Sequence, residues 1–449
     1  MAVIRYPSID EKRGPLFWLK PANLWHSRES FTRVDKSNER RESWRTRVGT
    51  VTLSKSVDDL LSTRGKNSSS RYSYIILGDT GEGDKSQYSL LPLIKALNAD
   101  FMIINGDVAY PAGRFDTSNT RASDFHQGFF EPYKNLGIPI WATPGNHEYY
   151  SPGEGDEFFN LFCTALHESV WHSYGLPFSQ TTRQPFPYWE IVDDISHLSL
   201  IGLDTGKEAN LDGASSWWQF WTSKSADAEQ LNWLKERLDE NDRKQYRTIV
   251  LFHIPSLVNS DTDNETMKQI HRLIASYSNI QAVITGHIHN QQFYSEQVWG
   301  EFLRDYTGNN GSNPNMSYVV SGSGGASLHR TDFDQGRFSV KVLFPSAEEW
   351  KEYAEFAAKV LGVIRLDRTF VANVYSDMKS ALFDADTGRY LSLLHIVVEG
   401  GTATCVPYWI KDIDNLYSPE TIVDIGANLP PLTNQAVASC KQQQLSFTI

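Results

Sequence analysis

Residues 103–113 read IINGDVAYPAG, an apolar run that stops at a Gly-Asp turn and is followed three positions later by a tyrosine. A strand ending in such a turn delivers its aspartate, Asp107, to the carboxyl edge of a sheet, where open α/β folds bind ligands. One Gly-Asp turn is ordinary turn chemistry, so the reading depends on what the neighbouring runs do. They repeat the device. IILGDTGEGD delivers Asp79, WATPGNHEYY delivers Asn146 and His147, IVLFHIPS delivers His253, and VITGHIHN delivers His287 and His289. Each follows an apolar run and precedes a turn, so parallel strands would bring all of them out on one edge.

Outward from this core, the short runs YSYIIL, FMII, IPIWA, HLSLIGL, TIVLF, AVIT and YVVSG alternate with helical patterns from Tyr72 onward. That is the βαβ rhythm of a layered α/β domain. Residues 87–97 place Leu90, Leu93, Ile94 and Leu97 on one helical face, and residues 227–238 do the same with Leu231, Leu234 and Leu238. Asp227 and Gln230 stand at capping-box positions of the second helix. A third helix is expected over residues 346–361, with Ser346 and Glu349 as capping box and Gly362 as its stop. Residues 388–410 read as two strands joined at Gly400 and Gly401, a hairpin that would complete a sheet. Before Tyr72 there is little periodicity, and TRGKNSSSR (residues 63–71) has the texture of a linker. The organisation expected is an N-terminal arm and linker (residues 1–70), a catalytic core (71–330) and a C-terminal extension (331–449) whose helix and hairpin complete the fold.

A formal charge of −12 argues against nucleic acid as the main partner, since duplex binding needs a cationic footprint. The first fifty residues run the other way, with eleven Lys/Arg against six Asp/Glu. Their densest part, NERRESWRTR (residues 38–47), is read as a solvated or intramolecular face, with contact to an acidic surface as the alternative. No segment approaches the run of about 18 apolar residues that spans a bilayer, and the charged first twenty residues lack a secretory signal. Cys163, Cys405 and Cys440 lie too far apart to suggest a disulfide framework or a thiolate zinc site, so a cytoplasmic, reducing location is expected. Three tryptophans in SSWWQFWTSKS (residues 215–225) are read as packing rather than as a lid.

Taken together, the strand-end residues outnumber the needs of one ion. Carboxylate, carboxamide and imidazole donors suit zinc, iron or manganese, and a carboxylate shared by two ions would build a clamp for in-line displacement at phosphorus.

In this set and order, the motifs from Asp79 to His289 closely resemble the calcineurin-like metallophosphoesterase superfamily, over roughly residues 72–325. In that superfamily the first motif often has the form Asp-x-His. Here Gly81 takes the histidine's place and Tyr110 stands three residues after Asp107, a pattern similar to the purple acid phosphatases, including the tartrate-resistant kind. GHIHNQQF and YVVSGSGG look like the same branch. The resemblance implies a four-layer α/β/β/α sandwich of two mixed sheets. It also implies a first ion, ferric iron, held by Asp79, Asp107, Tyr110 and His289. A second ion (Fe²⁺, Zn²⁺ or Mn²⁺) would be held by Asp107, Asn146, His253 and His287, with Asp107 bridging. His147 is the catalytic candidate, binding phosphate or protonating the leaving oxygen. Residues 254–267 lack the histidine pair of the plant-type members, which makes the tartrate-resistant type the nearer likeness. The expected function is hydrolysis of phosphate monoesters on a phosphorylated small molecule, with a metal-bound hydroxide as nucleophile. A phosphodiesterase or nucleotidase on the same centre is the alternative. A non-catalytic scaffold is a third reading, but it would show damaged ligands.

Overall fold

Strict alternation along the apolar runs builds two sheets back to back in the computed structural model. It describes residues 37–49, 51–81, 83, 85–117, 123–151, 153–206, 228–255, 265–287, 289, 291–294, 316–325, 331–332, 341–342, 390–411 and 445–448. In chain order the strands are β1 (Ser54–Ser56), β2 (Tyr72–Leu77), β3 (Phe101–Asn105), β4 (Ile140–Thr143), β5 (Trp189–Asp193), β6 (Leu198–Gly202), β7 (Arg247–Leu251), β8 (Ile280–Thr285), β9 (Gln291–Tyr294), β10 (Ser317–Ser321), β11 (Thr331–Asp332), β12 (Lys341–Val342), β13 (Tyr390–Glu399), β14 (Thr402–Lys411) and β15 (Leu445–Thr448). The helices that matter below are α1 (Ser37–Val48), α2 (Lys85–Leu97), α3 (Asn146–Tyr149), α4 (Ala228–Arg243) and α5 (Glu265–Ala275).

One sheet runs β15-β14-β13-β2-β3-β4 and the other β1-β5-β6-β7-β8-β10-β9, with β11 and β12 forming a separate ribbon. Both sheets are mixed: β2, β3 and β4 are parallel while β13 lies antiparallel to β2, and β6, β7, β8 and β10 are parallel, as are β1 and β5, while β5 is antiparallel to β6 and β9 to β10. The period-two pattern sorts side chains into three apolar layers. Tyr74, Ile76, Phe101 and Ile103 of the first sheet meet Ile249, Leu251, Ala282 and Ile284 of the second in a core between the sheets. The alternate residues Ile75, Leu77, Met102 and Ile104 face outward onto Leu90, Leu93 and Ile94 of α2. On the far side, Val250 and Val283 meet Leu234 and Leu238 of α4 and Ile270 and Ile274 of α5. Helix, sheet, sheet, helix is therefore the layer order, as the resemblance implied.

The β13–β14 hairpin turns at Gly400 (φ 57°) and Gly401 (φ 76°), the two left-handed positions that a two-residue turn of this hand needs. Its first strand pairs with β2, Val398 opposite Tyr72.

Two local readings differ from what is found. The helix expected over residues 227–238 runs on to Arg243. The Gln230 side chain donates to the Asp204 carbonyl at 3.0 Å and accepts from the Asp204 N–H at 2.7 Å, so it braces a loop. Asp227 lies outside the described residues. In the arm, where periodicity is lacking, α1 forms nevertheless, because polar contacts rather than an apolar stripe dock it. Arg40 reaches Glu154 and Asp156 at 3.0 and 2.6 Å, and Trp44 stacks on Phe159 at 5.1 Å. The basic stretch is thus an intramolecular face. Cys163 and Cys405 are buried free thiols. Cys440, residues 215–225 and residues 346–361 lie outside the described residues. Among the described residues no helix is long and apolar enough to cross a membrane.

His271 of α5 is fully buried, its Nδ1 2.7 Å from the Met267 carbonyl. Burial pushes this imidazole down to about 4, whereas an unfolded histidine titrates near about 6.5. Between those values the unfolded chain binds a proton that the folded one refuses, so stability falls as pH drops through that window, by at most about 1.4 kcal/mol per pH unit. Replacing it as His271→Leu is expected to flatten the decline. Denaturant midpoints at pH 7 and 4.5 test this, and an unchanged pH dependence would exclude His271 as a source.

Candidate metal centre

Every candidate sits just past a strand. Asp79 follows β2, Asp107 follows β3, His253 follows β7, and His287 and His289 follow β8, while Asn146 and His147 open α3 after β4. The chain must turn sharply there, and three of these residues are left-handed without being glycine: Asp79 (φ 58°), Asp107 (φ 50°) and His287 (φ 67°). Such conformations cost about 1–3 kcal/mol each and persist only where surroundings enforce them. The turns enforce one another. The Asp79 N–H donates to the Gly106 carbonyl and the Thr80 N–H to the Asp107 carbonyl, both at 3.0 Å, and the His287 N–H donates to Asp79 Oδ2 at 2.8 Å.

The structure brings all eight sequence candidates together. On one side, the Tyr110 hydroxyl lies 2.8 Å from Asp107 Oδ2, 3.3 Å from Asp79 Oδ1 and 3.1 Å from His289 Nε2. On the other, Asn146 Oδ1 lies 3.1 Å from His253 Nε2 and 2.9 Å from His287 Nδ1. Asp107 Oδ2 is also 3.3 Å from His253 Nε2, so a single oxygen faces both groups, while Oδ1 accepts the His147 N–H at 3.0 Å. Asp79, Asp107 and His289 form one group able to hold a metal ion, and Asp107, His253 and His287 form another; in each, the donor atoms lie within 4.8 Å of one another. His147 stands at the rim of the pair. Its Nδ1 is 2.7 Å from the Pro111 carbonyl, which fixes the proton there and turns Nε2 toward Asp107 Oδ2 at 3.9 Å.

The donor set fits cations. His253 Nδ1 faces the Asn105 carbonyl at 3.0 Å, and Asn146 spends its N–H on the Tyr150 hydroxyl at 2.8 Å, leaving a ring nitrogen and a carboxamide oxygen aimed inward. Burial, and then the charge on His253, push the His287 imidazole down to about 3, so it offers a lone pair. Burial opposes charge on His253 as well, but Asp107 and then Asp79 outweigh it and lift that imidazole to about 9. The proton so drawn in stands for positive charge that the two carboxylates demand and that a metal ion would bring. For Asp107, burial is outweighed by His253 and His147, which hold the carboxyl well below its usual range.

Gly81, where the superfamily often has histidine, admits no side chain. A Cβ there would lie 2.1 Å from the Val108 carbonyl oxygen and 2.5 Å from Ala109 Cα. The turn bearing Tyr110 is packed onto this spot, and the Tyr110 N–H donates to the Gly81 carbonyl at 3.0 Å.

Three further residues shape the site and went unread in the sequence. Asn105 ends β3 and donates to the Phe252 and Ile284 carbonyls at 3.1 and 2.9 Å, stitching the first sheet to the strand ends of the second. Glu148 is fully buried; its Oε1 accepts from the Val108 and Ala109 N–H groups at 2.9 and 3.1 Å and its Oε2 from Gly145 at 2.7 Å. Burial and the neighbouring Asp107 push this carboxyl up to about 8, yet with both oxygens accepting from backbone the geometry is that of the carboxylate. Thr205 Oγ1 accepts from the His253 and Ile254 N–H groups at 3.1 and 3.2 Å. Only Glu148, directly beside the Asn146–His147 pair, carried a signal that could have been followed.

A layered α/β sandwich with two adjoining donor groups able to hold cations along the seam between its sheets is the class defined by this fold and geometry. Residues 72–291 match the model of the calcineurin-like phosphoesterase family. The family implies a dinuclear metal site. Among solved structures the chain is similar to GAP50, the anchor in the inner membrane complex of Plasmodium, at 13% identity and a TM-score of 0.43, covering 76% of this chain and 85% of that one. It is also similar to a dimetal phosphatase from Danio rerio at 12% identity and a TM-score of 0.38, covering 57% of this chain and 88% of that one. No curated protein matches the chain by sequence.

Proposed function

We propose that the protein hydrolyses phosphate monoesters at a dinuclear metal centre of the purple acid phosphatase type. The observation that carries the reading is the pair of donor groups meeting at Asp107. Asp79, Asp107, Tyr110 and His289 would hold the first ion, and their hard anionic donors favour ferric iron. Asp107, Asn146, His253 and His287 would hold the second, and a carboxamide with two neutral imidazoles favours Fe²⁺, Zn²⁺ or Mn²⁺. When bound, such ions supply Lewis-acid neutralisation of the phosphoryl oxygens and activate water near neutral pH.

The chain's own residues supply placement. The Pro111 carbonyl orients the His147 ring, so that Nε2 faces the space over Asp107, where it would bind a phosphoryl oxygen or give its proton to the departing alkoxide. Glu148 holds the Asp107 turn against the Asn146 turn. Asn105 holds the two sheets in register beneath both.

The experiment is a substrate test on iron-loaded, oxidised protein of measured metal content. p-Nitrophenyl phosphate is expected to turn over faster than bis-p-nitrophenyl phosphate, and the protein is expected to absorb visible light through a Tyr110 phenolate on iron. The variant Tyr110→Phe should bleach while retaining most of its iron on Asp79, Asp107 and His289. Preference for the diester would move the assignment to a phosphodiesterase. Colourless iron-loaded wild type would remove Tyr110 from the ligand set, and no turnover with both ions bound would leave a scaffold.

A further inference from the structure

Helix α1 reaches the segments around the centre through a buried cation. Arg41 of α1 is 2% exposed, and its Nη2 lies 2.7 Å from Asp204 Oδ2, whose side chain is 1% exposed. The same nitrogen is 3.4 Å from the Tyr149 hydroxyl, which itself donates to Asp204 Oδ2. One partner belongs to a segment that carries a donor of the second group, and the other to a loop that braces one. Tyr149 lies on α3, the four-residue helix that begins with Asn146. Asp204 is followed by Thr205, whose hydroxyl accepts the backbone N–H of His253 and of Ile254. The two segments also touch directly, because a Cβ on Gly206 would come within 2.3 Å of the Gly145 carbonyl oxygen.

We propose that Arg41 is a positioning residue for the second metal: by drawing Asp204 and Tyr149 onto one guanidinium, the arm helix sets the spacing between Asn146 and His253. This inference rests on the dinuclear reading above. A buried ion pair is weak evidence of net stability, since desolvation offsets the attraction, and its best-attested use is to select one arrangement over others. A planar guanidinium with several fixed donors suits that task better than an ammonium would. Arg40, next to it, makes the contrast: it binds Glu154 and Asp156 from a partly exposed position, and neither of those residues carries a candidate ligand.

The test uses the full-length protein, stripped of metal and titrated with Zn²⁺ alone against a chromophoric chelator, so that the two binding steps are read without any turnover. Arg41→Met and Thr205→Val are both expected to weaken the lower-affinity step by about 10- to 100-fold, as loss of ligand-orienting partners does, and to leave the other step within about twofold. Arg40→Ala, which loosens the same helix, should lower the melting temperature and leave both steps at the wild-type value. Should Arg41→Met fail to fold, Thr205→Val decides by itself. Folded variants that bind both zinc ions as wild type does would overturn the proposal, as would an Arg40→Ala variant weakened equally. Wild type that takes up fewer than two ions would instead overturn the dinuclear reading beneath it.

Discussion

Substituting Asp107→Ala is expected to reduce phosphoester turnover to background and to strip both ions from the protein. The reason lies in one oxygen, Oδ2, which faces the Tyr110 hydroxyl at 2.8 Å and His253 Nε2 at 3.3 Å and so belongs to both donor groups. By contrast, His253→Ala removes a member of one group only, and should deplete the second ion while sparing the first. Electrostatic stabilisation by the metals is the main source of rate in such a centre, so losing both removes several orders of magnitude. Elemental analysis beside a turnover assay reads the result. An Asp107→Ala protein with full metal content and wild-type turnover would dispose of the two-ion scheme.

For His147→Ala the expectation is different: the metals stay and the rate falls by about 10²- to 10⁴-fold, the range for a positioned acid. The substitution spares the contact that anchors Asp107, because Asp107 Oδ1 is held by the backbone N–H of residue 147 at 3.0 Å rather than by the ring. It removes Nε2 from above the centre and the ring that packs 4.2 Å from Tyr110. A proton donor matters most when the leaving group is a poor one. The loss should therefore be larger for phenyl phosphate than for p-nitrophenyl phosphate. Equal losses on the two substrates would assign His147 to phosphate binding alone.

The candidate ligands stand out in the sequence because each is announced locally. A residue with metal-binding chemistry directly after an apolar strand, repeated at five strand ends, survives without knowledge of what packs where. The layer order was legible for the same reason, since Ile75 and Ile76 must face opposite sides of their sheet whatever covers them. What stayed hidden depends on partners distant in sequence. Asn105 looks like the polar end of any strand until Phe252 and Ile284 present their carbonyls to it. Helix α1 has no apolar stripe, because its attachments are Asp204, Glu154, Asp156 and the Phe159 ring. The three-residue strand β1 is too short to carry a period and exists by pairing with β5. Gly81 could be read as a missing ligand, but only the packing of Val108 and Ala109 against it shows that no larger residue fits.

The pairing of β13 with β2 has a consequence for how the chain is made. Ile76, at the heart of the first sheet, finds its partner Leu394 only after more than three hundred further residues have been added. During synthesis the β2 edge is an open template of Tyr74, Ile75 and Ile76, the kind of strand that pairs with other chains when left uncovered. Closing it demands a very long loop and makes this a slow, high-contact-order step. A ribosome-bound chain ending before residue 390 therefore carries all the candidate ligand residues but lacks the neighbour that seals the β2 edge, and such nascent chains should depend on chaperones until the hairpin emerges.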